Sequence, residues 1–178
     1  MHVLDLSVPI HDGMELYPGD PNVTIEVAHT YESHGWLLRR LALGSHTGTH
    51  VDAPSHMTPN GATLSELPLE RFVGPAVRAT AGAEHPHGVG LLFASEVTFE
   101  EHSRIAAAEP TFVGGALGER LERALLKRGI ITYTGLANLD QLPHDRTFTF
   151  VGLPLPIVDG DGSPVRAVAL IDDEPRGR

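Results

Sequence analysis

The 178-residue chain contains no cysteine, so it forms no disulfide and offers no thiolate to a metal; any ion must be held by His, Asp or Glu. Cations are also scarce. Thirteen Lys and Arg stand against 23 Asp and Glu, a formal net charge of -10, whereas nucleic acid and anionic membrane surfaces call for clustered positive charge. Neither class of partner is expected. Nowhere do eighteen apolar residues run in succession, and Met1 to Leu6 show no basic segment leading into a long apolar run. A soluble, cytoplasmic protein is the expectation. The glycine-rich patterns G-x-G-x-x-G and G-x-x-x-x-G-K-[ST] are missing too, which removes the two familiar phosphate cradles.

What is present is ordinary globular material with one unusual stretch. Hydrophobic residues make up 41% and charged ones 20%, enough for one domain spanning residues 1–178 with a real core. Eleven histidines are spread through the chain, and three of them, with one carboxylate, fall within Ser45-His46-Thr47-Gly48-Thr49-His50-Val51-Asp52-Ala53-Pro54-Ser55-His56. His46, His50 and Asp52 are separated by even numbers, so an extended chain would project all three from one face. A helix, at about 100° per residue, would carry Asp52 away from His46. Gly48, Pro54 and the β-branched Thr47, Thr49 and Val51 also favour extended backbone. Two imidazoles and a carboxylate converging on one point suit zinc, manganese or ferrous iron, with positions left for water or substrate.

The remaining pattern predicts a mixed α+β domain. Strands are expected at 2–6, 23–27, 36–43, 72–79, 89–94, 130–133 and 147–151, and a hairpin from 155–158 and 164–171 around Asp159-Gly160-Asp161-Gly162. Thr63 with Glu66 and Thr98 with Glu101 have capping-box spacing, the second opening a helix over 99–108. Another helix is expected over 119–128, with Leu121, Leu125 and Leu126 as its apolar stripe and Gly129 as its stop. His85, His87 and His102 are read as surface residues, Asp20, Asp159 and Asp161 as turn residues, Arg166 as a surface or interface ion pair, and Trp36 as either pocket lining or core.

His46-Thr47-Gly48-Thr49-His50-Val51-Asp52-Ala53-Pro54-Ser55-His56 resembles the H-x-G-T-H-x-D-x-P-x-H signature of the cyclase family, which includes bacterial kynurenine formamidase and isatin hydrolase. Tyr17-Pro18-Gly19-Asp20, Gly135-Leu136-Ala137-Asn138-Leu139 and Gly162-Ser163-Pro164-Val165-Arg166-Ala167 resemble other family segments, so both ends of the chain are covered. The resemblance implies the family's swivelling β/β/α domain, assembled as a homodimer or larger oligomer. It also implies that His46, His50 and Asp52 hold a divalent metal, zinc or manganese, and that His56 is the catalytic acid/base. The chain departs from the family in its shortened middle. Glu122 and Thr134 stand where formamidase-like members carry a second-metal histidine and glutamate, and Gly114 to Gly118 stand for a longer aspartate-serine loop. One ion per chain is therefore expected.

These parts suit a metal-dependent hydrolase of an amide or cyclic amide, arylformamidase-like, in which an ion activates water and His56 moves its proton. The same parts would serve a cyclase or dehydratase of polyketide-type metabolism, where a metal stabilises an enolate, and a third alternative is a noncatalytic metal-binding member. The partner in the catalytic readings is a small-molecule substrate.

Overall fold

Short β-branched and aromatic runs, several of them buried on both faces, build one nine-stranded sheet, seen in a computed structural model that describes residues 1–172. The strands are β1 (His2–Asp5), β2 (Thr24–His29), β3 (Leu38–Ala42), β4 (His50–Asp52), β5 (Val73–Ala79), β6 (Gly90–Val97), β7 (Phe112–Leu117), β8 (Ile131–Thr134), β9 (Phe148–Val151), β10 (Gly162–Pro164) and β11 (Val168–Ile171). In the large sheet they lie in the order β1-β11-β9-β5-β6-β7-β8-β4-β10. The central strands β5 to β8 pair in parallel, and antiparallel strands extend the sheet on both sides. Strands β2 and β3 form a separate two-stranded ribbon.

Parallel neighbours need crossovers, and of the α-helices α1 (Tyr31–His34), α2 (Pro54–Met57), α3 (His102–Ala107) and α4 (Glu119–Lys127) the last two supply them: α3 joins β6 to β7, and α4 joins β7 to β8. Alternation then splits the apolar side chains into two cores. Leu91, Phe93 and Val113 face the helices and pack with Ile105, Leu121 and Leu125. Leu92, Phe112, Ile131, Tyr133 and Val51 face the other way and pack with Phe72 and Phe150. Helix α4 ends as its sequence indicates: Gly129 takes φ 78°, and Ile130 N–H bonds back to Leu125 O.

Several local expectations are corrected. Residues 114–117 are strand, not a reduced loop: Gly114 and Gly115 lie in β7 because the sheet is closely packed there, and a Cβ at Gly114 would come within 2.7 Å of Leu92. Residues 36–43 give only the ribbon strand β3, exposed along its whole length, and Trp36 is 56% exposed, neither core nor pocket lining. The strand expected at 23–27 is also on this ribbon, with Val23 buried but Val27 exposed. No hairpin joins 155–158 to 164–171. Instead β10 pairs with β4 while β11 pairs with β1 and β9. The Thr63–Glu66 cap is present, Glu66 accepting from Thr63 N–H at 2.8 Å. The Thr98 side chain makes no cap bond, and Glu101 pairs with Arg104 instead.

Candidate functional site

The signature reaches the site from three local conformations rather than one strand. Gly48, at φ 63°, turns the chain, so His46 arrives from the turn before β4. His50 and Asp52 are strand residues, and with Val51 committed to the core below, alternation sends both to the α4 side. Pro54 then opens the single helical turn α2 (Pro54–Met57), which carries His56 back over the same spot. All four sequence-predicted residues line one cavity of about 500 Å³.

Neighbouring strands and α4 supply its base. Across the antiparallel ladder, Thr134 faces His50 and Thr132 faces Asp52. His50 Nδ1–H donates to Gly48 O at 2.8 Å, which leaves Nε2 as an acceptor 2.6 Å from Thr134 Oγ1. His46 Nδ1 lies 2.7 Å from Asp52 Oδ1, and His50 Nε2 lies 3.4 Å from the same oxygen. Thr132 Oγ1 sits 3.1 Å from Asp52 Oδ2 and 2.9 Å from Glu122 Oε1. One hydroxyl hydrogen cannot serve two carboxylates fully, so the group is best satisfied when one of them holds a proton.

The electrostatics say which one. Burial, helped by the Asp52 charge, raises Glu122 to about 7. Burial also works against the Asp52 charge, but the short hydrogen bond from His46 and its charge outweigh it and hold that carboxyl well below the usual range. His46 behaves in the complementary way: burial opposes its charge, yet the bonds to Asp52 and Asp161 dominate and raise it to about 9.

Asp161, a turn residue by its sequence, joins the site in the structure. Its segment has turn composition, and Asp159 does take a turn conformation at φ 54°, but Asp161 Oδ2 lies 2.9 Å from His46 Nε2 and 3.5 Å from His56 Nδ1. No local spacing signals this, because the pairing of β10 with β4 creates it. Tyr17 and Asp20 of the amino-terminal loop also line the cavity, so Asp20 has a place there beyond its turn. Other readings hold outside it: Arg166 makes a two-point ion pair with Asp5 on the surface, and His87 pairs with Glu109. His85 is only partly exposed, its ring edge against Phe93.

The donor set fits a divalent ion. Ligand atoms of His46, Asp52 and His56 lie within 4.8 Å of one another; His50 stands outside that trio but brings an Nε2 to 3.4 Å from Asp52 Oδ1, its tautomer already set by Gly48. No cysteine thiolate is available, and both oxygen and imidazole donors are present, which is the mixture zinc and manganese accept.

Comparison with known proteins agrees with this architecture. The profile of the Cyclase family matches residues 4–113. The kynurenine formamidase of Salinibacter ruber is 32% identical over 207 aligned positions, covering 94% of this chain and 97% of the relative. An alignment longer than the 178-residue chain places gaps in this chain, in keeping with a shortened member. Among solved structures, isatin hydrolase A from Labrenzia aggregata superposes with a TM-score of 0.78 at 24% identity, covering 94% of this chain and 93% of that one. A structure described as a potential metal-dependent hydrolase with cyclase activity gives 0.73 at 27% identity, covering 94% and 96%. With its signature, its mixed sheet and these relatives in agreement, the chain belongs to the Cyclase family, among members related to kynurenine formamidase.

Proposed function

We propose that the protein is a metal-dependent hydrolase of an amide or cyclic amide, arylformamidase-like, using one zinc or manganese ion per chain held by His46, His50 and Asp52, with His56 as acid/base. The observation that carries this reading is the convergence of these four side chains on one wall of a cavity of about 500 Å³, within the range that takes a small aromatic substrate. The kynurenine formamidase relatives support the choice of bond.

A bound divalent ion supplies Lewis acidity and a lowered pKa for water. The chain's own groups do the rest. Asp52, buried and anionic, and His50, locked by Gly48, provide fixed donors. The His56 side chain is 29% exposed at the cavity edge, with its ring centroid 3.9 Å from that of His46, so it can take a proton from water and return it to a leaving amine without leaving the site. Leu117 and Met57 give the cavity an apolar side for an aryl group.

The reading extends to organisation: one cyclase-like domain over residues 1–178, cytoplasmic, forming a homodimer or larger homo-oligomer. No described helix is long and apolar enough to cross a membrane. In support of a dimer, the ribbon of β2 and β3 exposes Val27, Leu38 and Leu41, with Leu37 exposed just before it, and a two-stranded ribbon is only marginally stable unless it is covered. The deciding experiment is turnover of an aryl formamide and a cyclic amide by metal-loaded protein with a chelator control. Hydrolysis abolished by chelator is expected; no hydrolysis by protein of verified metal content would overturn the assignment.

A further inference from the structure

Asp161 stands just before β10, remote in sequence from the signature, yet its place beside the histidines is tightly fixed. Its carbonyl accepts from Ala53 N–H at 2.9 Å, Gly160 O accepts from Leu64 N–H at 2.8 Å, and Gly162 pairs with Asp52 in the ladder. Gly162 lies so close beneath the His46 ring that any Cβ there would collide with it. The carboxylate is thus presented to His46 by backbone bonds on both sides of it, not by a free loop.

The two ring nitrogens of His46 meet different carboxylates. Nδ1 faces Asp52 at 2.7 Å, on the side where His50 Nε2 also lies, and Nε2 faces Asp161 at 2.9 Å. We propose that Asp161 is a positioning residue of the site: it accepts the Nε2–H of His46, so that the Nδ1 lone pair is presented beside Asp52 and His50 Nε2 to a divalent ion. The inference rests on the metal-binding reading above. An acceptor on the far nitrogen of a ligating histidine fixes its tautomer and ring orientation and makes it a stronger donor. Gly48 O does the same for His50 from the Nδ1 side, so the two histidines present opposite ring nitrogens. Asp161 Oδ2 is also 3.5 Å from His56 Nδ1, so the same carboxylate neighbours both a ligand and the proton-transfer residue.

The test is cobalt binding, followed by the d–d absorption of the ion and competition with a chelator, on wild type, Asp161→Ala and Asp161→Asn. Wild type should bind. Asp161→Ala should bind roughly 10- to 100-fold more weakly, the range for loss of such an acceptor. Asp161→Asn, which keeps an acceptor oxygen without the charge, should fall between. Asp5→Ala, which removes an exposed carboxylate elsewhere, should bind as wild type. Long-range 15N–1H spectra of zinc-loaded wild type give a readout that needs no variant to fold: His46 should carry its proton on Nε2. Equal cobalt affinity in wild type and Asp161→Ala, or a His46 proton on Nδ1, would overturn the inference alone. Failure of wild type to bind any cobalt would instead remove the metal-binding reading, and this inference with it.

Discussion

Thr134 stands directly across the ladder from His50, with its hydroxyl 2.6 Å from Nε2. Because His50 Nδ1 is committed to Gly48 O, Thr134 is the donor, and a neutral hydroxyl is an easily displaced partner for a nitrogen that is to bind a cation. A carboxylate at this position would add a ligand; threonine does not. Metal analysis should therefore give one ion per chain. Thr134→Val should keep that stoichiometry, while Asp52→Ala should lose the ion. Two ions per chain in the wild type would contradict this account of Thr134.

His56→Ala should retain the ion and lower kcat by about 10²- to 10⁴-fold, the range for a general acid/base. Loss of the ion from this variant would show that His56 is a ligand, a role that its place within 4.8 Å of ligand atoms of His46 and Asp52 allows. Paired metal analysis and steady-state kinetics separate the two roles.

Metal affinity should depend on pH through His46. In the metal-free protein its proton is held until about pH 9, because the bonds to Asp52 and Asp161 outweigh the cost of burial. A ligating imidazole must give up one proton, so binding at pH 7 releases it. Apparent affinity should rise about tenfold per pH unit up to that value and then level off. Calorimetry in buffers of different ionisation enthalpy checks the released proton, and a flat profile between pH 6 and 8 would contradict the prediction.

Thr132→Val should destabilise the metal-free protein by about 1–3 kcal/mol, the cost of stripping a hydrogen-bond partner from buried polar groups. Thr132 is fully buried between Asp52 and Glu122, and valine would leave those two carboxyls facing each other without the shared hydroxyl. Glu122→Gln in the same background should recover part of the loss by removing one acidic group, a coupling that denaturant unfolding of the double-mutant cycle measures.

Leu41→Glu, on the ribbon and 57% exposed, should shift the protein to monomer in sedimentation velocity if the ribbon meets a second copy. A wild-type protein that sediments as a monomer throughout the micromolar range would dispose of the dimer.

Much of this molecule is determined by sequence alone. The identity and close spacing of His46, His50, Asp52 and His56, the stripe of α4 and the strands at 72–79 and 130–133 are local patterns legible within a dozen residues, although strand period by itself places only His50 and Asp52. Ladder partners are not local. The placing of Thr132 and Thr134 opposite Asp52 and His50, the burial that raises Glu122, and the approach of Asp161 to His46 all depend on which strands lie side by side. The same limit explains the hairpin that does not form and the glycines at 114 and 115, which look like loop until close packing between β6 and β8 demands residues without side chains. A sequence shows which groups can bind an ion; only the tertiary pairing decides which carboxylates stand behind them, because those contacts are made across the sheet and not along the chain.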